Sequence, residues 1–124
     1  MALKRAARLR KSGDFRRIRQ QGRSVSSRLL ILAWSPNDTG RTRIGFVVSK
    51  RISKLAVERN HLKRLLSEAA RGYLPDTYSG VDIVISARNA ASAATLQTLT
   101  SDIRILLQRA RLLAATPGTL NQTT

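Results

Sequence analysis

The stretch from Glu58 to Arg71 constrains this chain more than any other. At about 100° per residue, Leu62, Leu65, Leu66 and Ala69 fall on one side of a helix, with Tyr73 continuing the same line. Asn60, Lys63, Arg64, Ser67 and Arg71 fall on the other side, and Arg59 lies on the flank. An amphipathic helix of this kind has to bury its apolar stripe against a core. Its polar stripe here consists of donors and positive charge, and Glu68 is the one acid near it, at the edge. An ordinary solvated face interleaves acids as i,i+4 partners. A stripe without them either stands in water as a plain solvated face or meets an anion.

The charge of the whole chain favours the anion. In 124 residues there are 23 Lys+Arg against 7 Asp+Glu, a formal net charge of +16. Self-repulsion of that size works against a compact state unless a polyanion offsets it. The length suits one domain able to bury a core unaided. No stretch is long and apolar enough to span a bilayer, and no hydrophobic signal core follows the basic N-terminus. With no Cys and a single His, disulfides, thiolate metal sites and multi-histidine sites are excluded. A cytoplasmic nucleic-acid binder is the expectation, with the kind of nucleic acid unspecified by charge alone.

Taken in order, residues 1–11 carry Lys4, Arg5, Arg8, Arg10 and Lys11 with no acid, and are expected to form a flexible basic arm. Ser12 offers an N-cap and Asp14 suits a first helical turn, so a short helix should run to about Gln21 and stop at Gly22. Arg28 to Trp34 is a near-continuous apolar run, expected as a strand covered on both faces. A turn at Ser35–Gly40 leads to a second strand, Arg43 to Ser49, and the two are expected to pair as an antiparallel hairpin. Gly45 within the second strand signals a bulge or a close backbone approach. Lys50, Arg51 and Lys54 form a basic connector into the helix, whose start falls between Ser53 and Val57 and whose end is marked by Gly72 and Pro75. Val81 to Ala87 reads as a buried strand, and strand–helix–strand order implies a parallel crossover, right-handed by default. A polar loop over Arg88–Ser92 precedes a last helix from Thr95 to Leu113, stopped by Pro117-Gly118, and a disordered tail over 116–124. The class is α+β, helices on a mixed central sheet, with residues 12–115 as the domain.

No catalytic constellation assembles from these residues. His61 has no visible Ser or Cys partner for a nucleophilic triad and reads as a surface or nucleic-acid-facing imidazole. The acids Asp14, Asp38, Glu58, Glu68, Asp76, Asp82 and Asp102 are scattered, with no close pair for acid–base or two-metal work. No Gly-rich phosphate loop is present. Of the aromatic residues, Phe15 stands beside Arg16 and Arg17 and suits stacking on an unpaired base. Phe46 and Tyr73 read as core, and Trp34 as half-buried at a strand end.

Several blocks taken together carry a family resemblance. They are Gly45-Phe46-Val47-Val48-Ser49-Lys50-Arg51, Ala56-Val57-Glu58-Arg59-Asn60-His61-Leu62-Lys63-Arg64, Asp14-Phe15 with Gly22-Arg23, and Gly80-Val81-Asp82-Ile83-Val84-Ile85 with Arg88. In that order, between about Leu9 and Arg109, the chain resembles the protein subunit family of bacterial ribonuclease P. The resemblance implies an αβββαβα sandwich with a left-handed βαβ crossover, against the default hand. It implies an endoribonuclease only as the ribonucleoprotein, which removes the 5′ leader of precursor transfer RNA, with catalysis and Mg2+ belonging to the RNA subunit and no cofactor on the protein. Partners would be that RNA and precursor transfer RNA, with no membrane and one protein per RNA. Carried over by position, Lys50, Arg51, Lys54, Arg59, Asn60, His61, Lys63, Arg64, Ser67 and Arg71 would face RNA. Phe15, Arg16, Arg19, Ile31, Ala33, Arg88 and Asn89 would line or border a leader cleft. His61 stands where the family has a third cation, Leu65 and Ser67 where further arginines are common, and Arg19 and Ala33 where aromatics are usual. Leader stacking then rests on Phe15, with Arg19 offering a guanidinium plane. A structural RNA-binding protein would share the charge without a single-strand cleft, and a self-sufficient nuclease would cleave without an RNA subunit.

Overall fold

The computed structural model describes residues 8–9, 12–73 and 79–113. Helix α1 (Ser12–Gln21) is followed by strands β1 (Arg23–Ser26), β2 (Leu30–Pro36) and β3 (Arg43–Val47), helix α2 (Ala56–Arg71), strand β4 (Val81–Ala87), a 3-10 turn over Asn89–Ala93, and helix α3 (Leu96–Arg109). The four strands form one mixed sheet in the order β1-β2-β4-β3. β4 runs antiparallel to β2 and parallel to β3. This is the α+β arrangement expected, and β3–α2–β4 is the parallel strand–helix–strand unit.

The expected hairpin between the second and third strands does not form. β4 inserts between them, so β2 pairs with β1 on one side and β4 on the other. The physical reason is burial. Ile83, Val84 and Ile85 are fully buried, as are Leu30 and Leu32, so these two apolar strands belong in the middle of the sheet. β1, whose residues are mostly exposed, is an edge and carries no apolar run by which to find it. β3 is the other edge, and Leu9 blunts it: its N–H donates to the Ile44 carbonyl at 3.0 Å, beside a parallel bridge between Arg8 and Ile44. Of the expected basic arm, Arg8 and Leu9 are therefore held, with Leu9 buried. The remainder of residues 1–11 and the tail over 116–124 lie outside the described residues.

The two faces of the sheet are covered unequally. On one face Leu30, Leu32, Ile44, Ile83 and Ile85 pack against Leu62, Leu66 and Ala69 of α2 and Leu99, Ile103, Leu106 and Leu107 of α3. Burying each large aliphatic side chain there contributes about 1.5–3 kcal/mol. The other face carries only α1, over a small cluster of Leu9, Ile18, Ala33 and Val84 with Phe15 and Val47 at its margin. β2 is thus covered on both faces for part of its length only: Ala33 is buried, whereas Ile31 remains 38 % exposed.

Local chemistry sets the helix ends. α1 includes Ser12 itself, one residue earlier than an N-cap at Ser12 implies. α2 starts at Ala56 with Leu55 at the cap and no side-chain cap; Ser53 Oγ instead bonds the Leu55 N–H at 3.2 Å and the Glu58 carboxylate. α3 is capped by Thr95, whose hydroxyl accepts from the Thr98 N–H at 3.2 Å. It ends at Arg109, well short of the expected Leu113. Arg111 adopts φ 61°, and the Arg111 and Leu112 N–H groups return to the Gln108 and Leu107 carbonyls at 3.0 and 2.9 Å. That is a Schellman stop with arginine in the place glycine usually takes; Pro117-Gly118 lies outside the described residues. The turn folds Leu112 and Leu113 back into the core.

Candidate nucleic-acid interface

α2 presents the two faces its spacing dictates. Leu62, Leu66, Ala69 and Ala70 are buried, while Asn60, His61, Lys63, Arg64 and Arg71 are exposed. Lys50, Arg51 and Lys54 in the preceding connector are exposed as well. The surface is not uniformly free charge. Arg71 pairs with Glu68 at 2.9 Å. Arg59 is half-buried and donates to the Ser53 carbonyl at 2.9 Å, stapling the connector to the helix. Among the described residues, Lys63 and Arg64 have no carboxylate within ion-pair distance.

A groove of about 430 Å3 joins this stripe to α1. It is lined by Asn60, Lys63, Arg64 and Ser67 of α2, by Gly45 and Phe46 of β3, and by Phe15 of α1. The Phe15 ring lies against Gly45 so closely that a Cβ there would come within 2.3 Å of its Cζ. That is the close approach signalled by a glycine inside a strand. Phe46 faces the other way and packs on the main core, and Tyr73 does likewise, its hydroxyl donating to the Thr100 carbonyl at 3.2 Å. Arg16 and Arg19 are exposed and share a second groove, of about 520 Å3, with Phe15 along α1. The remaining expected cleft residues sit elsewhere. Ala33 is beneath α1 as floor, Ile31 is on the open part of the sheet, and Arg88 and Asn89 are exposed just past the end of β4.

What holds α1, and therefore Phe15, in place is a carboxylate that showed no role in the sequence. Asp82 is fully buried. Arg43 Nε and Nη2 donate to its Oδ1 and Oδ2, both at 2.8 Å, in a bidentate fork. Arg17 Nη2 of α1 donates to Oδ2 at 2.9 Å, and Asn37 Nδ2 donates to Oδ1 at 2.7 Å. Arg17 also reaches the Ser35 hydroxyl at 3.2 Å, and Asp14 stands 3.9–4.0 Å from both guanidinium groups. Burial by itself would raise the Asp82 carboxyl; the hydrogen bonds from Arg43 and Asn37 and the charges of Arg43 and Arg17 outweigh it and hold the carboxyl below the usual range. Two of the scattered acids, Asp14 and Asp82, thus meet in space, but around arginines rather than a metal or a proton in transit. The one legible sign was an aspartate inside an otherwise apolar strand, which has to be paired if buried.

Comparisons with known proteins identify the fold and the family. The Ribonuclease P family model matches residues 3–111. The chain is 42% identical over 114 residues to the ribonuclease P protein component of Chloroflexus aurantiacus, covering 91% of this chain and 84% of that one. It is 39% identical over 118 residues to the protein component of Xanthomonas oryzae, covering 94% and 80%. The fold matches the ribonuclease P protein of Staphylococcus aureus with a TM-score of 0.78 at 29% identity, over 88% of this chain and 99% of that one. It matches the protein from Thermotoga maritima with a TM-score of 0.74 at 29% identity, over 82% and 96%. On these matches, the chain belongs to the ribonuclease P protein family.

Proposed function

We propose that this chain binds the catalytic RNA of ribonuclease P and the 5′ leader of precursor transfer RNA, and so promotes maturation of the transfer RNA 5′ end. The observation that carries this reading is the groove that Phe15 lines together with Asn60, Lys63 and Arg64. Single-stranded nucleic acid is held by an aromatic surface for a base together with cations that track the phosphates. The groove supplies both within one cleft, while the exposed Lys50, Arg51 and Lys54 extend the positive surface toward a second RNA. By neutralising phosphates of both RNAs, the chain lowers the repulsion between them and fixes the leader relative to the catalytic RNA.

The bond-breaking chemistry belongs to the RNA subunit in this reading. Mg2+ takes oxygen ligands and is held through carboxylates or phosphates. The groove is lined by cations, amide, hydroxyl and apolar groups, with no carboxylate. Both oxygens of Asp82 are engaged by Arg17, Arg43 and Asn37. These residues do not fit a magnesium site, and the ion's place is on the phosphates of the partner RNA. The chain acts as one protein per RNA in the cytoplasm.

Phe15→Ala tests the reading most directly. Removing a stacking partner should cost roughly 1–3 kcal/mol of affinity for a leader-bearing substrate. Affinity for the RNA subunit alone and for leaderless transfer RNA should stay the same. Equal losses with and without a leader would make Phe15 a packing residue only.

A further inference from the structure

The open face of the sheet has two unlike ends. Alternate residues of a strand share a face, and the pairings align three cross-strand rows beneath and beyond α1. The first row is Ser35–Asp82–Arg43, closed over by Arg17. The second is Ala33–Val84–Gly45, covered by Ile18 and Phe15. The third is Ser26–Ile31–Ser86–Val47, which α1 leaves partly open. At the first row the Arg17 and Arg43 guanidinium groups are paired with Asp82 and Asp14, which cancels their charge.

The end past the third row is the opposite. There the chain turns from β1 to β2 through Ser27, Arg28 and Leu29. Arg88 Nη1 donates to the Ser27 carbonyl at 2.9 Å, and Arg109 Nη1, from α3, donates to the Ser26 carbonyl at 3.0 Å. Two guanidinium groups from distant parts of the chain are thus fastened to consecutive carbonyls, with the exposed Arg28 next in sequence. Each uses one of five donors in that bond, and the rest of the fork stays available. The acid at this turn, Asp102, accepts from the Ser27 hydroxyl at 2.5 Å. Among the described residues no carboxylate is within ion-pair distance of Arg28, Arg88 or Arg109. Fastening an arginine in advance removes part of the ordering cost of gripping a phosphate.

We infer that the single-strand site continues past the open third row onto Arg28 and Arg109, which grip the phosphates of the leader nucleotides farthest from the cleavage point. The inference rests on the leader-binding reading above and adds the direction in which the strand leaves. One end of the sheet face is closed by a neutralised ion cluster, and the other opens onto Arg109, already fastened to the Ser26 carbonyl, with Arg28 exposed beside it.

The test uses the full chain with ribonuclease P RNA and precursor transfer RNAs carrying leaders of increasing length. Arg28→Glu and Arg28→Ala, with Arg109→Gln as a second site, are compared with wild type after thermal unfolding has shown each to be folded. Short leaders that end within the groove should bind all variants alike. Longer leaders should lose affinity several-fold, and the log–log salt slope should become shallower by about 0.7 for each phosphate contact removed. A loss of the same size at every leader length, or none at any length, overturns the inference and leaves these arginines as staples of the β1–β2 turn. A wild-type chain that binds leader-bearing and leaderless substrates equally overturns the leader-binding reading of the groove and this extension with it.

Discussion

Arginines do opposite work in two regions of this molecule. Around Asp82, Arg17 and Arg43 lie partly buried, hydrogen-bonded through defined atoms, and electrically cancelled. On α2, Lys63 and Arg64 stand in water with no carboxylate within ion-pair distance among the described residues. The first region joins α1 to the sheet and adds nothing to the positive field. The second adds little to the fold and supplies much of that field. In a chain with a formal net charge of +16, position relative to the acids decides which arginines are structural. Phe15 lies between the two regions: the ion cluster fixes the helix that carries it, and it lines one groove with the cationic stripe.

The largest effect should come from breaking the first region. Asp82→Ala leaves two guanidinium groups close together with no counter-charge. Removing one partner of a buried ion pair costs about 3–5 kcal/mol. Arg17 and Arg43 are partly open to water, which places the expected loss at the low end of that range. Denaturant unfolding measures it, and a change under about 1 kcal/mol, as for an exposed pair, would place the cluster with the surface pairs.

Acid should act on the same region. The native Asp82 carboxyl lies below its unfolded value, so the unfolded chain binds the extra proton as pH falls. Its contribution to stability is fully present above the unfolded carboxylate range and is lost as pH falls through the depressed native value. The stability gap between wild type and Asp82→Asn should therefore narrow progressively below the ordinary carboxylate range. A gap that stays constant into strong acid would show that Asp82 does not titrate with folding.

The second region should respond in the opposite sense. Lys63→Ala with Arg64→Ala should change stability by no more than about 0.5 kcal/mol, or raise it slightly by relieving repulsion. RNA affinity should fall, and the salt slope should become shallower by about 0.7 per lost contact. Arg71 is the poorer choice for this test, because its bond to Glu68 mixes an intramolecular pair into the result. Loss of folding with normal RNA binding by the folded remainder would reverse the roles given to the two regions.

The smallest change sharpens the boundary between them. In Gly45→Ala the new Cβ meets the far edge of the Phe15 ring and, less closely, Leu9 Cβ at 3.1 Å. The ring can move at modest cost, so stability should fall little while binding of leader-bearing substrate drops more than binding of the RNA subunit. Unchanged leader binding would show that the ring position is not what the strand senses.

Local pattern alone determined a good deal of this protein. The two faces of α2, the span of β4 from Val81 to Ala87 and the cationic character of the surface all follow from residue spacing and charge, because each depends on neighbours within a turn or a strand or on composition; the glycine at position 45 signals a close approach, but its partner Phe15 comes from α1. Where sequence reading went astray, the deciding partner was distant. Nothing between Leu30 and Val47 shows that β4 will insert between β2 and β3, since the choice is made by how many faces each strand can bury once all four are present. Nothing around Arg111 marks a helix stop without glycine, because Leu112 and Leu113 draw the chain back into the core. Asp82, Arg17, Arg43 and Asn37 are up to 65 residues apart and become one cluster only in space. The same holds for Arg28, Arg88 and Arg109 at the β1–β2 turn. Periodicity and charge are properties of short windows and are legible there. Ion pairing and strand order depend on which distant groups share a low-dielectric interior, and only the tertiary structure decides that.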